Sequence, residues 1–148
     1  MELYVINILI ILAVLIPAAY FDLKRKEIPN SLTYPLIVSG FVYSMLPWNI
    51  LNIWLAGAVF VIGYLLNKHG DLGGGDVKLL TGMVLWTPPE FFSMSFFLTL
   101  FLMSCVCALI YFGIMILTGK EKLSKNALIK FGPCILVGYV IAVVSMFL

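Results

Sequence analysis

Charge is scarce in this sequence: 11% of its 148 residues are Asp, Glu, Lys or Arg, against roughly a quarter in an ordinary soluble domain. That scarcity excludes a soluble globular domain, a disordered chain and a coiled coil. A net charge of +2 is too small to call for nucleic acid. Histidine occurs once, as His69, which excludes a His-rich metal site. The three cysteines, Cys105, Cys107 and Cys134, match no zinc spacing and form no Cys-x-x-Cys pair. In apolar surroundings they behave as small hydrophobes. Runs such as Ile8-Leu9-Ile10-Ile11-Leu12 lack the period-two alternation of a membrane β-barrel.

What fills the sequence is apolar: 63% hydrophobic residues and a mean hydropathy of +1.12. The apolar stretches fall at Leu3–Phe21, Thr33–Leu46, Ile50–Leu66, Val77–Trp86, Phe91–Leu117 and Phe131–Leu148. Breakers separate them: Pro29-Asn30, Pro47-Trp48-Asn49, the glycines between Gly70 and Gly75, Pro88-Pro89 and Gly119-Lys120. The expectation is an all-α integral membrane protein of about six transmembrane helices, forming one domain over residues 1–148. The first stretch lacks a basic flank before it and is long for a cleavable signal core, so it is expected to be retained.

The basic residues orient the chain. Lys24, Arg25 and Lys26 lie in the first connection, Lys68 and Lys78 border the third, and Lys120, Lys122, Lys125 and Lys130 lie in the fifth. These nine are all the Lys and Arg residues, and the second and fourth connections hold none. The positive-inside rule makes the odd connections cytoplasmic and puts both termini outside. Trp48, Trp54 and Trp86 then map near the outer boundary, where amphipathic rings anchor.

Two carboxylates stand out. Asp22 closes the first apolar stretch and Asp76 opens the fourth. Their helices run in opposite directions from one face, so the side chains can meet at one depth. Thirteen residues, Val77–Pro89, separate Asp76 from Glu90. They rise about 20 Å, less than the roughly 30 Å hydrocarbon core, which sets Asp76 below the surface unless the bilayer thins. A submerged carboxylate is costly and marks function. Gly73-Gly74-Gly75 precedes Asp76 as a loop that lets another chain come close; the plainer alternative is a flexible loop whose aspartate caps the next helix. No strand precedes these glycines, so they are no nucleotide fingerprint. Two neighbouring carboxylates can share a proton, one acting as base on a water and the other polarising a carbonyl. That chemistry needs no metal or organic cofactor, and none is expected. A small polytopic transporter using Asp22 and Asp76 as a proton or cation site is the competing reading.

Asp22-Leu23-Lys24-Arg25-Lys26-Glu27-Ile28-Pro29-Asn30 resembles the D-x5-I-P-N signature of the type IV prepilin peptidases, and Gly73-Gly74-Gly75-Asp76-Val77-Lys78-Leu79 resembles their GxGD-V-K-L signature. Phe131-Gly132-Pro133 resembles their F-G-P element. The elements occur in order over essentially the whole chain. The resemblance implies an intramembrane aspartic endopeptidase of the cytoplasmic membrane, active on its cytoplasmic side. It implies removal of a short basic leader from type IV prepilin-like or preflagellin proteins, whose apolar helix lies in the bilayer. Asp22 and Asp76 take the catalytic positions, with Gly73 and Gly75 as the fixed loop glycines around Gly74. Ile28, Pro29, Asn30 and Lys78 are possible supporting residues. With no Cys-x-x-Cys region, the chain resembles the short, cleavage-only form, and methyl transfer is not expected. Membrane lipid is a partner; nucleic acid is not.

Overall fold

A computed structural model describes residues 2–46, 49–69, 72–88, 91, 94–118 and 131–147. Among them are six α-helices: α1 (Glu2–Arg25), α2 (Asn30–Ser44), α3 (Ile50–His69), α4 (Gly74–Trp86), α5 (Met94–Leu117) and α6 (Gly132–Phe147). Three are long and apolar enough to cross a membrane, over Val5–Arg25, Ile50–His69 and Ser95–Leu117, while Gly132–Phe147 is apolar but shorter. The remaining two, α2 and α4, have 15 and 13 residues.

The helix ends depart from the apolar stretches in two places that matter. α1 continues past Phe21 to Arg25, so Asp22 lies inside its last turn rather than after it. Backbone hydrogen bonding does not stop where apolar side chains do, and Lys24 and Arg25 suit the negative end of the helix dipole. α4 begins at Gly74, so Gly74 and Gly75 are its first turn and not a loop. The Val77 N–H donates to the Gly73 carbonyl at 3.2 Å, closing that turn. Only Gly73 is extended, as the N-cap, at φ −69° and ψ 138°.

Two helices are enclosed. α4 packs between α2 and α3, and α6 between α1 and α5. Glycines mark the closest approaches. A Cβ at Gly82 would lie 2.7 Å from Leu36 Cδ2, one at Gly40 2.8 Å from Leu85 Cβ, and one at Gly63 2.7 Å from Val77 Cγ1. Small residues let helices approach where lipid supplies no hydrophobic drive. The main core takes Ile11, Leu15 and Ala18 from α1, Leu79 and Met83 from α4, and Ile135, Tyr139 and Ala142 from α6. The sets on α1 and α6 follow the spacing i, i+4, i+7, one stripe of a helix. α3 and α5 instead present apolar residues outward, with Trp54 77% and Leu109 70% exposed. A surface this apolar is suited to lipid rather than water.

Trp86, the last residue of α4, is packed against α2. Its indole N–H donates to the Leu36 carbonyl at 3.1 Å and the Ser39 hydroxyl at 3.2 Å, and its ring stacks on Tyr43 at 4.9 Å. Packing of α4 on α2 draws the ring inward. Trp48, Glu90 and the four lysines between Lys120 and Lys130 lie outside the described residues.

Candidate active site

Asp22 and Asp76 reach one place from elements far apart in sequence. Both are buried, at 7% and 9% exposure. They line one cavity of about 220 Å³ together with Lys26, Glu27, Ile28, Gly73, Gly74 and Gly75. The two carboxylates are close enough for each to feel the other's charge.

The turn after α1 is tight. The Lys26 N–H donates to the Asp22 carbonyl at 2.9 Å, and Lys26 takes the left-handed conformation at φ 57°. That conformation costs a non-glycine residue on the order of 1 kcal/mol. It reverses the chain at once, and Ile28 drops into the core. Pro29, extended at φ −68° and ψ 140°, is the N-cap from which α2 starts. Lys24 and Arg25 lie back over Tyr20 and Phe21 of their own helix, 5.6 and 5.5 Å from the ring centres.

Asp22 is held from the far end of the chain. The Gly132 N–H, at the start of α6, donates to Asp22 Oδ2 at 2.9 Å. The first N–H groups of a helix have no partner within it, so the α6 terminus is a ready carboxylate holder. A Cβ at Gly132 would lie 3.0 Å from that same oxygen. The F-G-P resemblance singled out this segment, but its residue types alone did not reveal a contact with Asp22.

Asp76 is the third residue of α4, and its carboxylate turns back toward the Gly73 backbone, the direction of a capping residue. Oδ2 is the oxygen that lies near Gly73. The other, Oδ1, is buried and has no hydrogen-bond partner among the described residues. Two of the three glycines answer a steric demand. A Cβ at Gly73 would lie 2.7 Å from Asp76 Oδ2, and one at Gly75 2.9 Å from Ile28 Cβ. One at Gly74 would make only ordinary contact with Asn67, at 3.7 Å. Asn67, missed in the sequence, donates to the Leu72 carbonyl at 2.7 Å and secures the approach to Gly73.

Lys78 goes elsewhere. Its ammonium donates to Asn30 Oδ1 at 2.8 Å and lies 4.9 Å from the centre of the Tyr34 ring. It ties α4 to the start of α2, so the two signatures are bonded to each other through Lys78 and Asn30. Asp71 lies outside the described residues. His69 ends α3, with Nδ1 2.7 Å from the Leu65 carbonyl. Among the described residues no three of His, Cys, Asp and Glu gather as metal ligands would.

Residues 9–113 match the type IV leader peptidase family. The chain is 35% identical over 112 residues to the prepilin peptidase EppA of Methanothermobacter thermautotrophicus, covering 68% of this chain and 29% of that protein. It is 32% identical over 123 residues to the leader peptidase HopD of Escherichia coli, covering 76% of each. It is 31% identical over 135 residues to a prepilin leader peptidase/N-methyltransferase of Vibrio cholerae, covering 84% of this chain and 50% of that protein. The chain thus spans less than a third of the first relative and half of the third. No solved structure matches it. The family match covers more than two thirds of the chain, including Asp22, Asp76 and the glycines between the helices that carry them: this chain belongs to the type IV leader peptidase family.

Proposed function

We propose that this chain is an intramembrane aspartic endopeptidase that removes the basic leader from prepilin-like or preflagellin proteins. The observation that carries this reading is the shared cavity: two buried carboxylates, from α1 and α4, with Asp22 held by the α6 terminus. Two carboxylates in one pocket share a proton. The ionised one takes a proton from water as that water attacks the scissile carbonyl. The protonated one donates to the carbonyl oxygen, and the proton gained by the first then goes to the leaving amine. Asp76 Oδ1, without a partner among the described residues, is the oxygen that holds the water or the substrate carbonyl.

In this reading the chain is one transmembrane domain, 1–148, of six spans in the cytoplasmic membrane. Both termini are outside and the cavity faces the cytoplasm. Lys24, Arg25, Lys26, Lys68 and Lys78 support it, since all lie at or next to the α1, α3 and α4 ends where the aspartates are. α4 rises only about 20 Å, so it spans only by being enclosed between α2 and α3, with Asp76 below the surface. The substrate's leader stays in the cytoplasm, where Glu27 offers the cavity a further negative charge.

The test is coexpression with a protein bearing a basic leader before an apolar helix, with leader removal scored on a gel. Asp22→Asn and Asp76→Asn should each abolish it. Persistent cleavage in both variants would sink the mechanism. Proton- or cation-dependent flux into proteoliposomes without cleavage would point to transport instead.

A further inference from the structure

A second hollow, of about 350 Å³, lies along α4 beyond Asp76. Its lining is almost wholly apolar and follows helical spacing. Leu80, Met83, Val84 and Thr87 supply the floor from α4, at i, i+3, i+4 and i+7. Ile135 and Tyr139 supply the rest from α6. Ile62 and Leu66 of α3 form one wall, and Leu100 and Phe101 of α5 the other. The walls pack on α4 and α6, respectively, and not substantially on each other. Ile62 and Phe101 are 59% and 63% exposed, so the hollow is a groove open between α3 and α5.

Two features distinguish it from a face that merely meets lipid. The first is its register with the carboxylates. Asp76 precedes Leu80 by four residues and Met83 by seven, so the α4 stripe that floors the groove begins at Asp76. At the same end the groove is lined by Leu72 and Phe131. These immediately precede Gly73, which lies against the Asp76 carboxylate, and Gly132, which bonds Asp22. The second is Tyr139. It is 2% exposed, it lines the groove, and its hydroxyl has no hydrogen-bond partner among the described residues. A buried hydroxyl without a partner costs free energy, which a turn of the ring toward the groove and one hydrogen bond to an occupant's backbone carbonyl recover. An acyl chain carries no such atom along its length, whereas a polypeptide does.

We propose that this groove receives the apolar helix of the substrate, in register with the carboxylates, so that the residues just before that helix enter the cavity of Asp22 and Asp76. This rests on the endopeptidase reading. A cavity of about 150 Å³ takes a benzene ring, so the groove takes roughly two large apolar side chains, one face of a helix. α3 and α5 then set which apolar helices are accepted, and the aspartates cut whatever the groove positions.

The experiment uses the full chain in liposomes with a reporter that carries a basic leader before an apolar helix. Ile62→Trp fills the groove from an exposed position, and Leu66→Trp is a second filling variant. Each should raise KM about tenfold with kcat little changed, as overpacking a binding contact does. Tyr139→Phe should raise KM roughly fivefold, the loss of one hydrogen bond to substrate. Val61→Trp and Leu109→Trp, exposed on the same helices but outside the groove, should change neither constant. Benzoylphenylalanine in place of Phe101 should crosslink to the reporter's apolar helix. Crosslinks only to lipid or to a second copy of this chain, with KM unmoved in the groove variants, would overturn the proposal while cleavage itself persists. Failure of the unmodified chain to cleave, or cleavage by Asp22→Asn, would instead overturn the endopeptidase reading.

Discussion

At its last turn α4 is fastened by side chains from two neighbours. The Ser44 hydroxyl of α2 donates to the Leu85 carbonyl at 2.8 Å, and the Asn52 amide of α3 donates to Leu85 and Thr87 at 3.2 and 2.8 Å. The last carbonyls of a helix lack internal partners, and here neighbouring side chains supply them. At its first turn the same helix is held by the close approach of Ile28 to Gly75 and by the reach of Lys78 to Asn30. Amide atoms of Asn49 and Asn52 without a partner among the described residues remain buried near the fastened end. Among the described residues both buried carboxylates lie at the other end, where burial costs more. One end of a short, enclosed helix is stapled, and this steadies the other, where an unpartnered carboxylate oxygen is kept.

Substitutions at the two ends should therefore separate activity from stability. The largest effect is expected at the carboxylates: Asp22→Asn and Asp76→Asn should each lower cleavage at least about a thousandfold in a reporter assay, with little change in thermal unfolding. Next come the glycines that hold them. Gly132→Ala and Gly73→Ala place a Cβ against Asp22 and Asp76. A displacement approaching 1 Å should cost about a hundredfold in kcat/KM. At the stapled end, Asn52→Ala leaves the Thr87 carbonyl without that amide donor. It should lower stability by about 2 kcal/mol, seen as an earlier unfolding transition in detergent, with the activity of the folded fraction kept.

Two smaller effects sharpen the contrast. Lys78→Met removes the bond to Asn30 and the contact with Tyr34. A loss of about 1 kcal/mol is expected, with partial recovery in Lys78→Arg, measured by the same unfolding assay. Gly74→Ala should be tolerated, within about 1 kcal/mol and with cleavage intact, because its Cβ meets only ordinary contact and Ala favours the helix. If Gly74→Ala proved as damaging as Gly73→Ala, crowding would not explain the glycine pattern.

The helices themselves were largely legible. Each apolar stretch overlaps one helix, because a run of apolar residues between breakers is a local property. Their ends were less so. α1 carries Asp22 inside its last turn and α4 takes in two glycines, since helix ends depend on caps and neighbours as well as on hydropathy. Trp86 shows the same limit. An aromatic at the end of an apolar stretch suits an interface, but its stacking on Tyr43 and its bond to the Leu36 carbonyl could not be read from spacing. That Lys78, a possible supporting residue, bonds Asn30 of the other signature could not be read from spacing.

By itself the sequence determined that the chain is helical and apolar, that its basic residues fall in alternate connections, and that Asp22 and Asp76 flank their apolar stretches. These follow from composition, spacing and the signs of side chains along a line. Only the tertiary structure decided that α6 supplies the Gly132 N–H to Asp22 across 110 positions, that Gly73 and Gly75 are crowded while Gly74 is not, and that the Asp76 stripe continues into a groove. Those facts depend on how closely helices distant in sequence approach, which is set by the packing of many side chains at once.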